Sequence, residues 1–203
     1  MDKKIIDHFY AVDPLLAAVL RKLAGVTDRL TPTVATDYFV DLCEAIISQQ
    51  LSEKAGATIW NRFVGLFPQY NVTPKRVLAL PDEKIRGVGP SWSKISYLKN
   101  LASKVADKEL DLEALKVMGN EEVISELTKV KGIGPWTAEM FLMFALGRPD
   151  VFSFGDLGLR NAIKKLYAMK KDPTRKQMEK ITEKWIPYRT YACRILWRSL
   201  ELT

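Results

Sequence analysis

Asp156 is the residue of this sequence whose type and position most favour chemistry. It stands directly before a predicted helix that starts at Leu157, and it follows Trp136 by twenty residues. An aspartate carboxylate is ionised at neutral pH, so it can stabilise developing positive charge or orient a water molecule. The alternative interpretation is that Asp156 only caps the helix, as aspartate commonly does. The two roles are compatible.

A turn with two glycines, Gly132 and Gly134, lies earlier in the chain and has the features of an anion-binding site. Glycines reach backbone angles that other residues avoid, and they let a phosphate approach the backbone N–H groups. The next helix begins at Pro135, so its unpaired N–H groups and positive dipole end lie beside the turn. Lys129 and Lys131 add positive charge. By itself this pattern is a weak signal, because many glycine turns only reverse the chain.

A polar turn, Gln49-Gln50-Leu51, joins two apolar helical patterns. Two adjacent glutamines are unusual at such a junction. They either form an ordinary polar connection between helices or carry a function, and the residues alone leave both interpretations open.

The chain is basic: its 203 residues carry a net charge of +7, with a pI of about 9.3. Its length allows one large domain or two small lobes with a proper core. A basic excess suits a polyanionic partner, because neutralising phosphates releases counterions. A basic enzyme without such a partner is the alternative.

Only two cysteines, Cys43 and Cys193, and one histidine, His8, are present. We expect both thiols to be buried in the protein core, without a disulfide framework. This cysteine content suits a protein of a reducing compartment. Two cysteines are too few for a four-cysteine iron–sulfur cluster. With one histidine, a His/Cys zinc site or a Ser-His-Asp triad is not expected either. We therefore expect no cofactor for catalysis.

Neither a signal peptide nor a membrane span is predicted. The amino-terminal residues carry acids early and lack a long apolar stretch. The longest apolar run, 140–146, is far too short to cross a bilayer. We expect an intracellular protein, in the cytoplasm or nucleoid, or in the nucleus of a eukaryote.

The hydrophobic periodicity predicts an all-α chain of about ten helices with short connections. Trp60, Trp92 and Trp185 are expected in the core. The predicted helical segments, several of them short, are 3–11, Asp13 to Gly25, Asp37 to the stretch 48–51, Ser52 to Phe67, 73–80, one from Pro81, 91–106, 111–116, 121–129, 135–146, 157–169, 174–185 and 188–200.

Four blocks resemble the helix–hairpin–helix superfamily of base-excision DNA glycosylases, and within it most closely the alkylpurine (3-methyladenine type) enzymes. The blocks are 46–52, the glycine turn with Trp136 and Thr137, 154–160, and 185–192. The resemblance implies one domain over 1–203 that folds as two helical lobes with a central cleft. One lobe would cover about 37–115. The other would cover about 116–203, joined by the N-terminal helices 1–30.

The resemblance also implies roles for individual residues. Asp156 would be the catalytic carboxylate, and Trp136, Met140 and Trp197 would line the base pocket, although core and pocket remain equally open for Trp197. Bifunctional relatives carry a nucleophilic lysine in the hairpin slot that Trp136 occupies here, which implies simple hydrolysis. Met140 stands where some relatives have an aromatic residue, which puts the lesion preference in doubt.

The remaining implied contacts are with DNA. The turn of Gln49, Gln50 and Leu51 would plug the space left by a flipped base. A monovalent cation, Na⁺ or K⁺, would bind backbone carbonyls in the hairpin, those of Thr128, Val130 and Ile133. The phosphate contacts would be Lys129, Lys131, Gly132, Gly134 and Thr137.

We therefore expect a monofunctional DNA glycosylase that acts as a monomer on double-stranded DNA with alkylated purines. Two rival functions remain. One is a bifunctional glycosylase/lyase for oxidised bases, and the other is a helix–hairpin–helix module that binds DNA without catalysis.

Overall fold

The computed structural model describes residues 1–23, 30–31 and 34–202. Within these residues every regular element is helical, which confirms the all-α prediction. The α-helices are α1 (Lys3–Val12), α2 (Pro14–Lys22), α3 (Tyr38–Ser48), α4 (Glu53–Val64), α5 (Pro74–Ala79), α6 (Asp82–Gly87), α7 (Trp92–Ala106), α8 (Asn120–Thr128), α9 (Pro135–Phe144), α10 (Leu157–Leu166), α11 (Arg175–Thr182) and α12 (Arg189–Ser199). Short 3₁₀ turns occupy Pro68–Tyr70, Ala114–Lys116 and Glu183–Trp185. None of the described helices has the length and apolarity that a membrane crossing requires.

Four predicted helix starts are confirmed, and at each of them a side chain caps the helix. Asp13 accepts the N–H groups of Leu15 and Leu16, and so caps α2. Asp37, Ser52 and Thr174 cap α3, α4 and α11 in the same way. Each cap satisfies N–H groups that the first helical turn leaves unpaired.

The predicted helix ends are less accurate, because the chain leaves the helix through turns that hydrophobic periodicity does not show. Helix α10 ends at Leu166 instead of Met169, since Ala168 adopts a φ of 49° and the Met169 N–H bonds to the Lys164 carbonyl. Helix α4 ends at Val64 instead of Phe67. Residues 111–116 form only a 3₁₀ turn. The predicted stop at Gly25 lies outside the described residues.

One compact unit combines Met1–Val34 with Leu142–Thr203. Its helices α2, α10 and α12 pack together, and α1 packs on the 3₁₀ turn at Glu183–Trp185. Asp13 links these segments from a position only 1% exposed. It accepts hydrogen bonds from the Trp185 indole at 2.8 Å and from the Tyr167 hydroxyl, and it pairs with Lys184 at 3.1 Å. Its fully buried side chains include Phe9, Leu16, Ile163, Trp185, Ile195 and Leu196.

The second compact unit is Ala35–Phe141. Helix α7 packs against α3, α5 and α6, and α3 packs against α4. The boundary expected near residue 116 lies inside this unit, because α8 and the turn after it belong to the same unit as α7. Its fully buried side chains include Leu42, Ile46, Ile47, Phe63, Ile95, Leu98, Leu101 and Leu127. The expected cleft between the lobes stays a prediction.

Of the three tryptophans expected in the core, only Trp185 is fully buried. Trp60 is half-buried and stacks on Phe63. The expectation for Trp92 was wrong, because its side chain is 56% exposed at the start of α7. Both cysteines are buried, as expected.

Candidate active site

Asp156 is held at the start of α10 by two donors in its own unit. Its Oδ1 atom accepts the Leu159 backbone N–H at 2.7 Å and the Trp197 indole N–H at 3.0 Å. The first bond is a helix cap, so the capping interpretation of Asp156 is confirmed. The second bond comes from α12 and restricts the carboxylate further. Asp156 and Trp197 are both half-buried, so this pair keeps part of its surface accessible.

Gly158 allows the close approach of Trp197 to Asp156. A Cβ at this position would lie 3.1 Å from Asp156 Oδ1 and 3.2 Å from Trp197 Cδ1. These distances are shorter than ordinary van der Waals contact. A side chain here would therefore require the indole or the carboxylate to shift by a few tenths of an ångström.

The loop that leads to Asp156 is fastened to the start of α12. Arg189 makes two parallel hydrogen bonds to the Asp150 carboxylate, at 2.7 and 2.9 Å. The Thr190 hydroxyl donates to the Arg148 carbonyl at 2.6 Å and accepts the Val151 N–H at 3.0 Å. Bidentate Arg–carboxylate pairs are rigid as well as strong. The block 185–192, which the sequence marks only by resemblance, thus positions the loop before the candidate catalytic residue.

Trp197 also packs against an aromatic ring of α9. Phe144, in the last turn of α9, stacks on Trp197 with ring centroids 6.0 Å apart and an interplanar angle of 28°. The Arg194 guanidinium lies over the Phe144 ring, 5.1 Å from its centroid. Burial and the neighbouring Arg198 lower the pKa of the Arg194 guanidinium, yet an arginine stays charged at neutral pH. Phe144 is 38% exposed, so this aromatic face continues to the surface.

The hairpin between α8 and α9 belongs to the second unit and requires glycine at Gly132. This residue has a φ of 82°, and a Cβ there would lie 2.1 Å from Cδ2 of Tyr97 on α7. At Gly134, in contrast, a Cβ would meet nothing within 4 Å. The packing of the protein therefore does not require glycine at position 134, and its role in phosphate binding stays a prediction.

The predicted phosphate contacts differ in exposure. Lys131 is exposed, and its backbone N–H donates to the Asn100 side chain at 2.9 Å. Lys129 is also exposed, and it pairs with Glu126 one turn earlier. Thr137 is only 7% exposed, so little of its surface is available to an anion. The lysine side chains at this hairpin are therefore the more accessible groups.

The three carbonyls predicted to bind a cation lie at this same hairpin. The Val130 carbonyl already accepts the Ile133 N–H at 3.1 Å, but a carbonyl oxygen has a second lone pair. No group of acidic, histidine or cysteine residues suitable for a metal occurs in the described part of the chain. Neutral carbonyl oxygens suit a monovalent cation such as K⁺, so the donor type at this hairpin fits the predicted ion.

The glutamine turn is strained and anchored. Gln50 is exposed and has a φ of 58°, an angle that non-glycine residues rarely adopt, in a turn closed by the Leu51 N–H and the Ser48 carbonyl. Leu51 is 38% exposed. The Gln49 side chain instead donates to the Gly132 carbonyl at 2.8 Å. This contact gives Gln49 an anchoring position, so Gln50 and Leu51 are the residues that project from the turn.

Helix α9 carries the two other residues predicted for the pocket. Trp136 is 49% exposed in its first turn, and Met140 is half-buried one turn later. A large indole at half exposure is a suitable surface for stacking. Trp136, Met140 and the two turns belong to the second unit, and Asp156 with Trp197 belongs to the first.

Sequence reasoning missed several residues that contact the predicted site residues, namely Gly158, Phe144, Tyr97, Asn100 and Lys94, whose ammonium donates to the Ile47 and Gln49 carbonyls at 2.7 Å. Gly158 carried a usable signal, because a glycine within the first turn of an amphipathic helix is unfavourable unless something must approach closely. The other four act through contacts with residues distant in the chain, which no local pattern shows.

Comparisons with known proteins identify the family of this chain. Residues 43–188 match the family described as HhH-GPD superfamily base excision DNA repair protein. A putative DNA-3-methyladenine glycosylase of Bacillus subtilis is 35% identical over 205 residues, which cover 97% of this chain and 69% of that protein.

Two solved structures are similar over nearly the whole chain. The DNA-3-methyladenine glycosidase of Bacillus halodurans has a TM-score of 0.82 at 35% identity, covering 98% of this chain and 89% of that one. The 3-methyladenine DNA glycosylase of Schizosaccharomyces pombe, solved in complex with abasic DNA, has a TM-score of 0.85 at 33% identity, covering 99% and 98%. On these matches, the chain belongs to the HhH-GPD superfamily of base excision DNA repair proteins.

Proposed function

We propose that this protein is a monofunctional DNA glycosylase that hydrolyses the N-glycosidic bond of alkylated purines in double-stranded DNA, and that it acts as a monomer. The observation that carries the proposal is the pair formed by Asp156 and Trp197. In this pair an indole N–H holds the carboxylate in one orientation. Relatives of this chain are named DNA-3-methyladenine glycosylases.

Asp156 would supply the chemistry. Breaking an N-glycosidic bond builds positive charge on the deoxyribose, as in glycoside hydrolysis. A carboxylate close to that sugar stabilises the charge and orients the attacking water. The bonds from the Leu159 N–H and the Trp197 indole hold Oδ1 in place before the substrate arrives. The carboxylate therefore needs little reorganisation in the transition state.

The indoles would select the base. Stacking a base on an aromatic side chain contributes roughly 1–3 kcal/mol. Alkylation at N3 or N7 makes a purine cationic, and an indole face then adds about 0.5–2 kcal/mol over the undamaged base. Half-exposed Trp136 offers such a face, and so does Trp197. An alkylated purine is also a good leaving group, which suits a site without a histidine.

The two turns of the second unit would hold the DNA. The hairpin, with Gly134 and Lys131, would bind the backbone phosphates, and Gln50 with Leu51 would fill the space left by the flipped base. A Na⁺ or K⁺ ion on the carbonyls of Thr128, Val130 and Ile133 would add positive charge at the hairpin. It has no part in the chemical step.

The test is base release from a panel of modified duplexes together with borohydride trapping. We expect release of 3-methyladenine and 7-methylguanine, an abasic strand that stays intact until treated with alkali, and no covalent adduct. Release from duplexes with 1-methyladenine, hypoxanthine or ethenoadenine then ranks the modified bases as substrates. A trapped adduct would favour the bifunctional rival, and the absence of any released base would favour a binding module.

A further inference from the structure

Helix α7 holds both DNA-binding turns on one face. Lys94, Tyr97 and Asn100 follow one another at helical spacing, so they project from the same side of the helix. Lys94 Nζ donates to the carbonyls of Ile47 and Gln49, both at 2.7 Å. One turn later the Tyr97 ring packs on Gly132, and a further turn on, the Asn100 carbonyl oxygen accepts the Lys131 N–H at 2.9 Å.

The two turns are also joined directly. The Gln49 side chain donates to the Gly132 carbonyl at 2.8 Å, across 83 residues of sequence. The Lys94 ammonium closes the end of α3, where the last carbonyls of a helix lack partners and the dipole favours a positive charge. The glutamine turn is therefore restrained from two sides, by Lys94 at its backbone and by Gln49 at the hairpin.

Gln50 requires such restraint. Its φ of 58° is unfavourable for a side chain of this kind, and an unfavourable backbone angle persists only where the surroundings impose it. The hydrogen bonds of Lys94 end on the residue immediately before Gln50 and on Ile47. Without them the turn would relax toward ordinary angles, and Gln50 would leave its position relative to the hairpin.

We propose that Lys94 and Gln49 are positioning residues that hold the Gln50 turn in fixed register with the phosphate-binding hairpin, so that phosphate binding and insertion of the plug occur as one event. The proposal rests on the DNA-binding roles given above to the two turns. It assigns Lys94 to the end of α3 and not to a phosphate. It also gives Gln49 a role separate from that of Gln50.

Helix α7 supplies a matched control. Lys99 Nζ donates to the carbonyls of Leu78 and Leu80, at 3.0 and 2.5 Å, and so closes the end of α5 by the same chemistry. It contacts neither turn through these bonds. Lys99→Met therefore removes a comparable lysine cap together with the Lys99–Asp82 ion pair at 3.4 Å, whereas Lys94→Met removes the cap that fixes the register of Gln50.

The experiment measures base unstacking without catalysis. Each variant is bound to a duplex carrying 2-aminopurine beside a tetrahydrofuran abasic-site analogue, and the fluorescence increase and the dissociation constant are recorded. For Lys94→Met and Gln49→Glu we expect a fluorescence increase at saturation that is less than about half of the wild-type increase. The midpoint of thermal unfolding is recorded for each variant to show whether it is folded. Lys99→Met should retain the full increase. Lys94→Arg, which keeps the donors, should recover part of the loss.

Base release separates this proposal from the proposed function. From a duplex with 7-methylguanine opposite cytosine, Lys94→Met should lose at least about tenfold in single-turnover rate. When 7-methylguanine lies opposite the tetrahydrofuran analogue, there is no base pair to break. The loss of single-turnover rate in Lys94→Met should then be smaller. A wild-type fluorescence increase in Lys94→Met, or equal losses in Lys94→Met and Lys99→Met, would overturn the positioning role. If the wild-type protein releases no base but the fluorescence results hold, the proposed function fails and the positioning role stands.

Discussion

Trp197→Phe tests how far the indole N–H contributes to catalysis. The substitution removes the donor that lies 3.0 Å from Asp156 Oδ1, and it keeps an aromatic ring that can still stack on Phe144. The Leu159 N–H stays in place at 2.7 Å, so the carboxylate keeps one of these two bonds. A hydrogen bond to a charged group contributes about 1.5–3 kcal/mol. If that energy is expressed in the transition state, the rate falls by about tenfold to a hundredfold.

The assay is single-turnover release of 7-methylguanine from a duplex, with the affinity for the duplex measured separately. We expect a lower rate with nearly unchanged affinity, because the lost bond orients the carboxylate and not the DNA. Phe144→Leu is the control, since it removes the ring stack and leaves the indole donor. An aromatic stack of this kind contributes only about 0.5–1.5 kcal/mol, so its loss should be below about tenfold.

Two results would refute this reasoning. Wild-type release by Trp197→Phe would show that the indole bond does not act on the carboxylate. Equal losses in Trp197→Phe and Phe144→Leu would show that packing of the indole, and not its N–H, is what matters. Adding Trp197→Phe to Asp156→Asn should reduce the residual rate no further, because the bond then has no charged acceptor.

The remaining predictions concern stability and DNA binding. Burial raises the pKa of the Asp13 carboxylate, but hydrogen bonds from Tyr167, the Leu16 N–H, Trp185 and Lys184 outweigh it and hold the pKa below its usual range. Asp13 therefore stabilises the fold above about pH 4, and this contribution is lost as the pH falls through the lowered pKa of the folded state. In urea titrations, Asp13→Asn should lower the free energy of unfolding by about 2–4 kcal/mol at pH 7. The free energy of unfolding of the variant should also change less with pH in the acid range. An equal change with pH in both proteins would contradict this. Lys131→Ala should weaken binding to all duplexes and make the salt slope of log K shallower by about 0.9 for one lost phosphate contact, with an unchanged slope counting against that contact.

The parts of the fold that could be predicted from the sequence depend on local interactions. Asp13, Asp37 and Thr174 announce helix starts, because a capping side chain acts within three residues of itself. Helix ends depend on turns such as that at Ala168, whose left-handed angle no side-chain pattern indicates. Trp92 was misplaced because periodicity assigns a face of a helix without showing whether that face is covered.

The candidate site divides in the same way. Asp156 and the hairpin stand out because each is a contiguous pattern, glycine or acid followed by a helix. The anchoring of Gln49 on Gly132 and the bond from Trp197 to Asp156 join residues far apart in the chain. The sequence contains both partners of each pair but nothing that couples them. For Trp197, predicted either in the core or in the pocket, the structure shows a half-buried side chain whose N–H donates to the carboxylate. Its pocket role stays a prediction.

Asp156 is the proposed catalyst, and the Asp156→Asn variant tests this role. Its single-turnover base release is measured beside its affinity for the same alkylated duplex. The amide can still accept the Leu159 N–H and cap α10, so the fold should persist while the negative charge is lost. We predict binding within about threefold of wild type and a loss of base release of at least about a thousandfold. Release of 3-methyladenine at the wild-type rate would contradict the account and leave Asp156 as a helix cap alone.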